Sequence, residues 1–399
     1  MKRKRIIAVL ILFAFFFTNC KGGEVILNNS ISKIPFEYRL GLPIIKVSIN
    51  GKSYDFLFDT GAINVISEEL SKIPGINTSF IKIVRDSQGA KSKLKSVKID
   101  SILIGNAAFS NISAVVADLS KSVEISCLHI DGIIGSDLMK LAIWQIDYEN
   151  QLITCTKDKS LLEIPKKHNT IKFKTTSTGK QYVDIILENQ VEKSLTFDTG
   201  SNGGYSCSKK TYKKLVKNNS ILIKNLGYGS KNSGLYGREN PDTTFYVLIN
   251  DFEIGNLALK NIPVQFKQNG SRTIGNEFLK NYRVIIDWKA REIILIPNHN
   301  KEYDFSRWKS FGFSPYLEDN KFFVGFIVKG SSADEQGLKL GDQIIEINSY
   351  DYSRVPLEDY CDFISNSIFS ESDSISISIL RENKVLNMSL FNNPILKNY

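Results

Sequence analysis

The strongest constraint on how this 399-residue chain can fold is an internal duplication. Residues 44–59 carry two alternating strand patterns joined at Asn50-Gly51, a dipeptide suited to the tight turn of a hairpin. Residues 182–198 repeat the plan, with one strand over Tyr182 to Leu187, a turn at Glu188 to Gln190 and a second strand over Lys193 to Phe197. Asn50 stands nine residues before Asp59, Asn189 stands nine before Asp198, and each hairpin runs directly into Asp-Thr-Gly. The matching continues downstream. Ile104-Gly105-Asn106 corresponds to Ile254-Gly255-Asn256, Ile134-Gly135-Ser136-Asp137-Leu138 to Ile274-Gly275-Asn276-Glu277-Phe278, and Ile146-Asp147-Tyr148 to Ile286-Asp287-Trp288. The offsets of the Asp-Thr-Gly, Ile-Gly-Asn and Ile-Gly landmarks are 139, 150 and 140 residues. The second copy therefore holds about eleven extra residues before its Ile-Gly-Asn, and the first about ten extra around Ser120 to Cys127.

Composition excludes several classes. With 42% hydrophobic and 23% charged residues the chain can bury two or three cores, and disorder or coiled coil is not expected. Three scattered histidines (His129, His168, His299) and five cysteines, without a CxxC pair or HExxH run, lead us to expect no metal and no cofactor. Four of the charges behind the net +9 are Lys2, Arg3, Lys4 and Arg5, so no nucleic-acid partner is called for; the remaining excess reads as solvated surface. That basic cluster precedes the apolar run Ile6 to Phe17, shorter than the roughly twenty residues needed to span a bilayer, and fits a secretory signal. Phe17-Thr18-Asn19-Cys20 resembles a bacterial lipoprotein signal, in which Cys20 is acylated; Asn19 departs from the smaller residue usual there, and an uncleaved short anchor or plain secretion signal are the alternatives. The expected division is a signal peptide over 1–19 and a polar tether over 20–36. The protein would then be exported to the cell envelope, periplasmic or on the outer surface, and held to the membrane by lipid. Export permits disulfides among Cys127, Cys155, Cys207 and Cys361 in three pairings, with buried free thiols equally open.

A lone Asp-Thr-Gly is a common turn, but two at equivalent places in a duplicated unit imply a pseudo-twofold axis at which Asp59 and Asp198 meet. Two carboxyls buried together cannot both ionise and share a proton over a wide pH range. The ionised one takes a proton from a water held between them, while the protonated one polarises a carbonyl, which is the chemistry of amide hydrolysis.

The chain from about Glu37 to Pro297 resembles the retropepsin-like and pepsin-like aspartic proteases in a form with two lobes on one chain. The resemblance rests on Phe58-Asp59-Thr60-Gly61-Ala62 and Phe197-Asp198-Thr199-Gly200-Ser201, and on the apolar-apolar-glycine loops Ile133-Ile134-Gly135 and Thr273-Ile274-Gly275. It implies Asp59 and Asp198 as catalytic residues of an endopeptidase, with the shared proton a property carried over from that family. Thr60, Gly61, Thr199, Gly200 and Ser201 are then dyad supports, the threonines bonding across the lobe interface. Ile134, Gly135, Ile274 and Gly275 form the cleft floor. Ala62 stands where pepsins have a hydroxyl residue, whereas Ser201 keeps it and is placed to bond the outer oxygen of Asp198, so the two aspartates are expected to be inequivalent. Two glycine-containing stretches qualify as a substrate-covering flap, Arg85 to Lys95 and Gly227 to Arg238; the insertion favours the second, with Gly234, Tyr236 and Gly237 at its tip. Asp147 and Asp287 are expected to be structural.

Beyond a polar joint, Phe322 to Val328 reads as a strand, Gly330-Ser331-Ser332-Ala333 as the start of a short helix ending at Gly337, Val355 to Ser367 as a helix and Ser374 to Leu380 as a strand. With Leu340-Gly341-Asp342-Gln343-Ile344-Ile345-Glu346-Ile347-Asn348 this part resembles a PDZ domain of the bacterial protease type, with Ser332 and Ser349 at positions usually held by proline and glycine. The resemblance implies strand addition of a C-terminal peptide ligand and makes Phe311-Gly312-Phe313 the carboxylate loop, the alternative being an aromatic turn over the core. The expected fold is mainly β: two pseudo-twofold-related, barrel-like protease lobes over 37–160 and 161–299, then over 303–399 a small β-barrel with two helices. The expected function is an endopeptidase acting on peptide or protein substrates; the alternatives are a catalytically silent peptide-binding scaffold or an envelope adaptor working through the PDZ groove.

Overall fold

The computed structural model describes residues 23–27, 30–86, 88–222, 224–231, 233–298, 308–365 and 372–396. The signal segment and Cys20 lie outside the described residues.

Each copy folds from its hairpin. Strands Leu42–Ile49 and Lys52–Asp59 pair antiparallel, as do Gln181–Leu187 and Gln190–Phe197. The turns put Asn50 and Gly51 at φ 52° and 77°, and Glu188 and Asn189 at 46° and 62°, the left-handed conformations that match strand twist in two-residue hairpins. The second strand of each hairpin then pairs in parallel with the Ile-Gly loop of its own copy, Phe58 opposite Ile134 and Phe197 opposite Ile274.

The copies are joined by a shared sheet. Ile143–Asp147 pairs antiparallel with Tyr282–Asp287, so the Ile-Asp segments matched in the sequence are neighbours across the seam. Ile146, Val284, Ile285 and Ile286 are fully buried there, which explains their near-continuous apolar pattern. Asp147 and Asp287 end these strands and accept from the amides of Asn150 and Ala290, closing the following turns.

The expected tether is replaced in part by strands. Glu24–Leu27 pairs with Ala107–Ser110, and Ile31–Arg39 pairs with Leu152–Thr156 and with Leu42–Ile45. The physical reason is period-two alternation under a polar average: Ser32, Ile34 and Phe36 point inward while Lys33, Pro35 and Glu37 face water.

The C-terminal module contains the strands Phe313–Glu318, Lys321–Val328, Gln343–Ile347, Ser374–Arg381 and Lys384–Phe391, with helices Ser332–Glu335 and Leu357–Ser365. It is not a separate bead. Its strand Lys321–Val328 pairs antiparallel with Lys224–Gly229 of the second lobe, making one continuous sheet. A disulfide joins Cys127 of the first lobe to Cys361 of the module, while Cys155 and Cys207 are buried free thiols.

Trp144 ties the first lobe's core to the strand that delivers Asp59. It is fully buried, lies 5.2 Å from the Phe58 ring and 5.9 Å from that of Phe109, and donates from Nε1 to the Met139 carbonyl at 2.7 Å. Trp144→Ala is expected to cost about 3–5 kcal/mol through the cavity it leaves. Trp144→Phe, which loses the hydrogen bond and part of the indole but keeps most of the packing, should cost clearly less; urea unfolding of both variants checks the order.

Candidate active site

The two Asp-Thr-Gly turns come together at the lobe interface with twofold regularity. The Thr60 amide donates to Thr199 Oγ1 at 3.0 Å, and the Thr199 amide donates to Thr60 Oγ1 at 3.0 Å. Each hydroxyl in turn donates to the carbonyl before the other aspartate, Thr60 to Phe197 at 2.6 Å and Thr199 to Phe58 at 2.7 Å. Both threonines are fully buried, so these four bonds are shielded from water.

The glycines are there for space. A β-carbon on Gly61 would lie 2.6 Å from the Asp198 carboxyl carbon, and one on Gly200 would overlap the Asp59 carboxyl. Each carboxyl thus rests on the partner turn's glycine, and each accepts from its own: Gly61 N to Asp59 Oδ1 at 2.7 Å, Gly200 N to Asp198 Oδ1 at 3.1 Å. The floor loops press equally close, since a β-carbon on Gly135 would overlap the Ile63 backbone and one on Gly275 the Gly203 carbonyl.

Burial raises the pKa of both aspartates above the ordinary carboxylate range. Asp198, 9% exposed, goes up furthest because the charge of Asp59 adds to its desolvation, while Lys180 pulls both down. The pair therefore holds a proton above the ordinary carboxylate range, and the charge of Asp59 makes Asp198 the harder of the two to ionise. The inequivalence has a different origin from the one expected from Ser201. No bond from the Ser201 hydroxyl to Asp198 occurs among the described residues; its amide donates to the Asp198 carbonyl at 3.3 Å and its carbonyl accepts from Asn276 N at 2.7 Å.

Several supports had weak or no sequence signal. Asn276 Nδ2 donates to the Thr199 carbonyl at 2.7 Å, and its Oδ1 accepts from the Tyr148 hydroxyl at 2.9 Å. Its repeat partner Ser136 donates to the Ala62 carbonyl at 2.9 Å. Asn64 Oδ1 accepts from the Gly135 amide at 2.8 Å, a task the Gly204 carbonyl performs for Gly275 at 2.9 Å. Asp137, pushed up to about 6 by burial, accepts from the Asn64 amide at 2.8 Å. Ser136, Asp137 and Asn276 stood within a matched repeat segment; Asn64 has no such signal because its counterpart is Gly203.

Both flap candidates reach the same place. The short hairpin Ser233–Gly234 with Gly237–Arg238 carries Leu235 and Tyr236 at its turn, with Gly237 at φ 110°. Asp86, on the turn after Ile76–Arg85, accepts from the Tyr236 amide at 3.2 Å. Leu235 belongs to an apolar cluster with Ala62 and Ile63, directly after the first Asp-Thr-Gly. The Tyr236 hydroxyl is buried without a protein partner among the described residues.

In the C-terminal module Phe311 and Phe313 are buried in the core, and Gly312 between them sits at φ 92°. The Gly312 amide donates to Ser310 Oγ at 3.0 Å, and its carbonyl accepts from Val328 N at 2.7 Å. No group of three or more His, Cys, Asp or Glu residues placed to hold a metal ion occurs among the described residues.

The raised carboxyl pKa values set a pH dependence. Between the ordinary carboxylate pKa and the raised ones, the folded protein holds protons that the unfolded chain has released, so stability falls as pH rises through that window. Asp198→Asn has no such proton to lose. Its thermal midpoint should gain on that of the wild type as pH rises above the ordinary aspartate value of about 3.9, as followed by circular dichroism.

Residues 45–138 match the family model described as aspartyl protease, and residues 304–368 match the one described as PDZ domain. The first match covers the first copy of the repeat as far as Leu138. No curated protein sequence matches the chain. The chain is mainly β, with an aspartyl protease domain followed by a PDZ domain.

Proposed function

We propose that this chain is an exported aspartic endopeptidase in which Asp59 and Asp198 together activate a water molecule for attack on a peptide bond. The observation that carries the reading is the reciprocal threonine exchange, which sets the two carboxyls against each other's glycine. Asp59, ionised first, takes a proton from the water; Asp198, still protonated, donates to the scissile carbonyl oxygen as it gains charge. The tetrahedral diol collapses when the proton held by Asp59 passes to the leaving nitrogen and one diol hydroxyl returns its proton to Asp198, releasing an acid and an amine. Tyr236, whose hydroxyl has no protein partner among the described residues, would bond the substrate backbone from the hairpin whose Leu235 packs in the cluster of Ala62 and Ile63.

Cleavage of denatured casein from about pH 3 to 8 tests the reading, with Asp59→Asn and Asp198→Asn beside the wild type. Each variant should lose roughly 10²–10⁴-fold in kcat, the usual worth of a positioned acid or base. Cleavage by the variants at the wild-type rate overturns the assignment. A wild type that cleaves nothing favours the silent-scaffold reading.

The chain's N-terminal pattern supports export and lipid attachment at Cys20. Cys20→Ser should move the protein expressed in a bacterial host from the membrane fraction to the soluble fraction and remove the acyl mass of its N-terminal peptide.

A further inference from the structure

The first lobe's extra segment, around Ser120 to Cys127, makes none of the bonds that hold the dyad, yet it is covalently attached to the PDZ domain. Val123, the first residue of the short helix Val123–Ser126, and Cys127, just after its end, belong to the PDZ domain's own apolar cluster with Phe311, Leu317, Cys361 and Ile364. Cys127 is bonded to Cys361, and the Tyr360 hydroxyl donates to Glu124 Oε1 at 3.4 Å. Leu40 joins the same cluster from a hairpin turn. It holds φ 51°, a left-handed conformation uncommon for a leucine.

These contacts fall where a peptide would dock. Among the described residues the strand Phe313–Glu318 pairs with Lys321–Val328, and its other edge is the place for strand addition. Leu317 of that strand and Ile364 of the helix Leu357–Ser365 lie in the same apolar cluster as Val123 and Cys127, and Cys361 of that helix is bonded to Cys127. The same edge is poorly equipped for an outside chain. Pro315 offers it no N–H. The Gly312 amide, part of the loop that would receive a carboxylate, is already bonded to Ser310 Oγ. Arg238, from the second lobe's hairpin, stacks 3.6 Å over the ring of Tyr316 on that strand.

The attached elements lead to both halves of the dyad. Ile125 packs in the cluster containing Ala62, Ile63 and Leu235. The Gly41 carbonyl, next to Leu40, accepts at 3.1 Å from Asn276 Nδ2, which also holds the Thr199 carbonyl.

We propose that the PDZ domain takes as its partner a segment of its own chain, residues 123–127, and serves as an internal clamp on the two Asp-Thr-Gly turns. The Cys127–Cys361 disulfide is the latch. A dithiol reductant opens it: the dithiol gives two electrons and two protons and becomes a disulfide, leaving Cys127 and Cys361 as thiols. The inference rests on the module's fold and contacts and stands whether or not the dyad cleaves peptides.

Amide exchange of the full-length oxidised protein, read by mass spectrometry, tests this without any assay of cleavage. Cys361→Ser removes the latch, and Val123→Asp disturbs the docked segment while leaving both cysteines. In each variant exchange should quicken at least ten-fold over 122–128, 313–318 and 357–365, and several-fold over 59–63. The seam strand 282–287 should stay within two-fold, showing that the lobes remain folded. A mixture of random heptapeptides with free C-terminal carboxylates should protect 313–318 of the oxidised wild type no better than the same peptides as amides. Unchanged exchange in both variants overturns the proposal. So do carboxylate-dependent protection of the oxidised wild type and a free Cys127 thiol in the non-reduced peptide map.

Discussion

The two Asp-Thr-Gly turns hold each other in place: each threonine amide donates to the other's hydroxyl, and each hydroxyl donates to the carbonyl just before the other aspartate. Neither lobe can satisfy these buried groups alone, and leaving one unpaired costs on the order of 1–3 kcal/mol. The lobes are thereby committed to one register. From that register follows the closeness of the carboxyls, and from the closeness, with burial, their raised pKa values. The structure spends its glycines on the same requirement, since side chains at Gly61, Gly200, Gly135 or Gly275 would push the turns or their floor loops apart.

Around this point the chain is arranged in shells of decreasing symmetry. The turns are nearly twofold, the seam pairs the two Ile-Asp strands, but the supports already differ, with Asn64 doing for Gly135 what a backbone carbonyl does for Gly275. The outermost parts belong to one copy only: the first lobe's extra segment, latched to the PDZ domain, and the second lobe's hairpin, whose Tyr236 meets Asp86. The shared proton itself needs only the closeness and burial of the two carboxyls.

Much of this was legible in the residues because duplication checks itself. The hairpins, the paired turns and the floor loops recur at nearly constant offsets; the structure pairs each floor loop with the hairpin strand of its own copy and brings the two turns together. What was not legible has physical reasons. The strand Ile31–Arg39 hides its alternation under a polar average, so it reads as tether. The pairing Cys127–Cys361 joins residues 234 apart, and spacing alone cannot choose it among three. The two flap candidates looked like rivals because sequence treats them separately, whereas in space their tips share one hydrogen bond. The PDZ loop Phe311-Gly312-Phe313 kept its pattern, but the bond from Gly312 to Ser310 that occupies its amide depends on backbone geometry no motif records.

The shared proton is most directly tested by carbon-13 NMR titration of protein labelled at the aspartate carboxyls, with Asp59→Asn and Asp198→Asn assigning the two signals. Coupled burial predicts that one carboxyl, that of Asp198, remains protonated well above the ordinary range while Asp59 is ionised, and that removing either one shifts the titration of the other. Two carboxyls that titrate independently near the usual aspartate value of about 3.9 would contradict it.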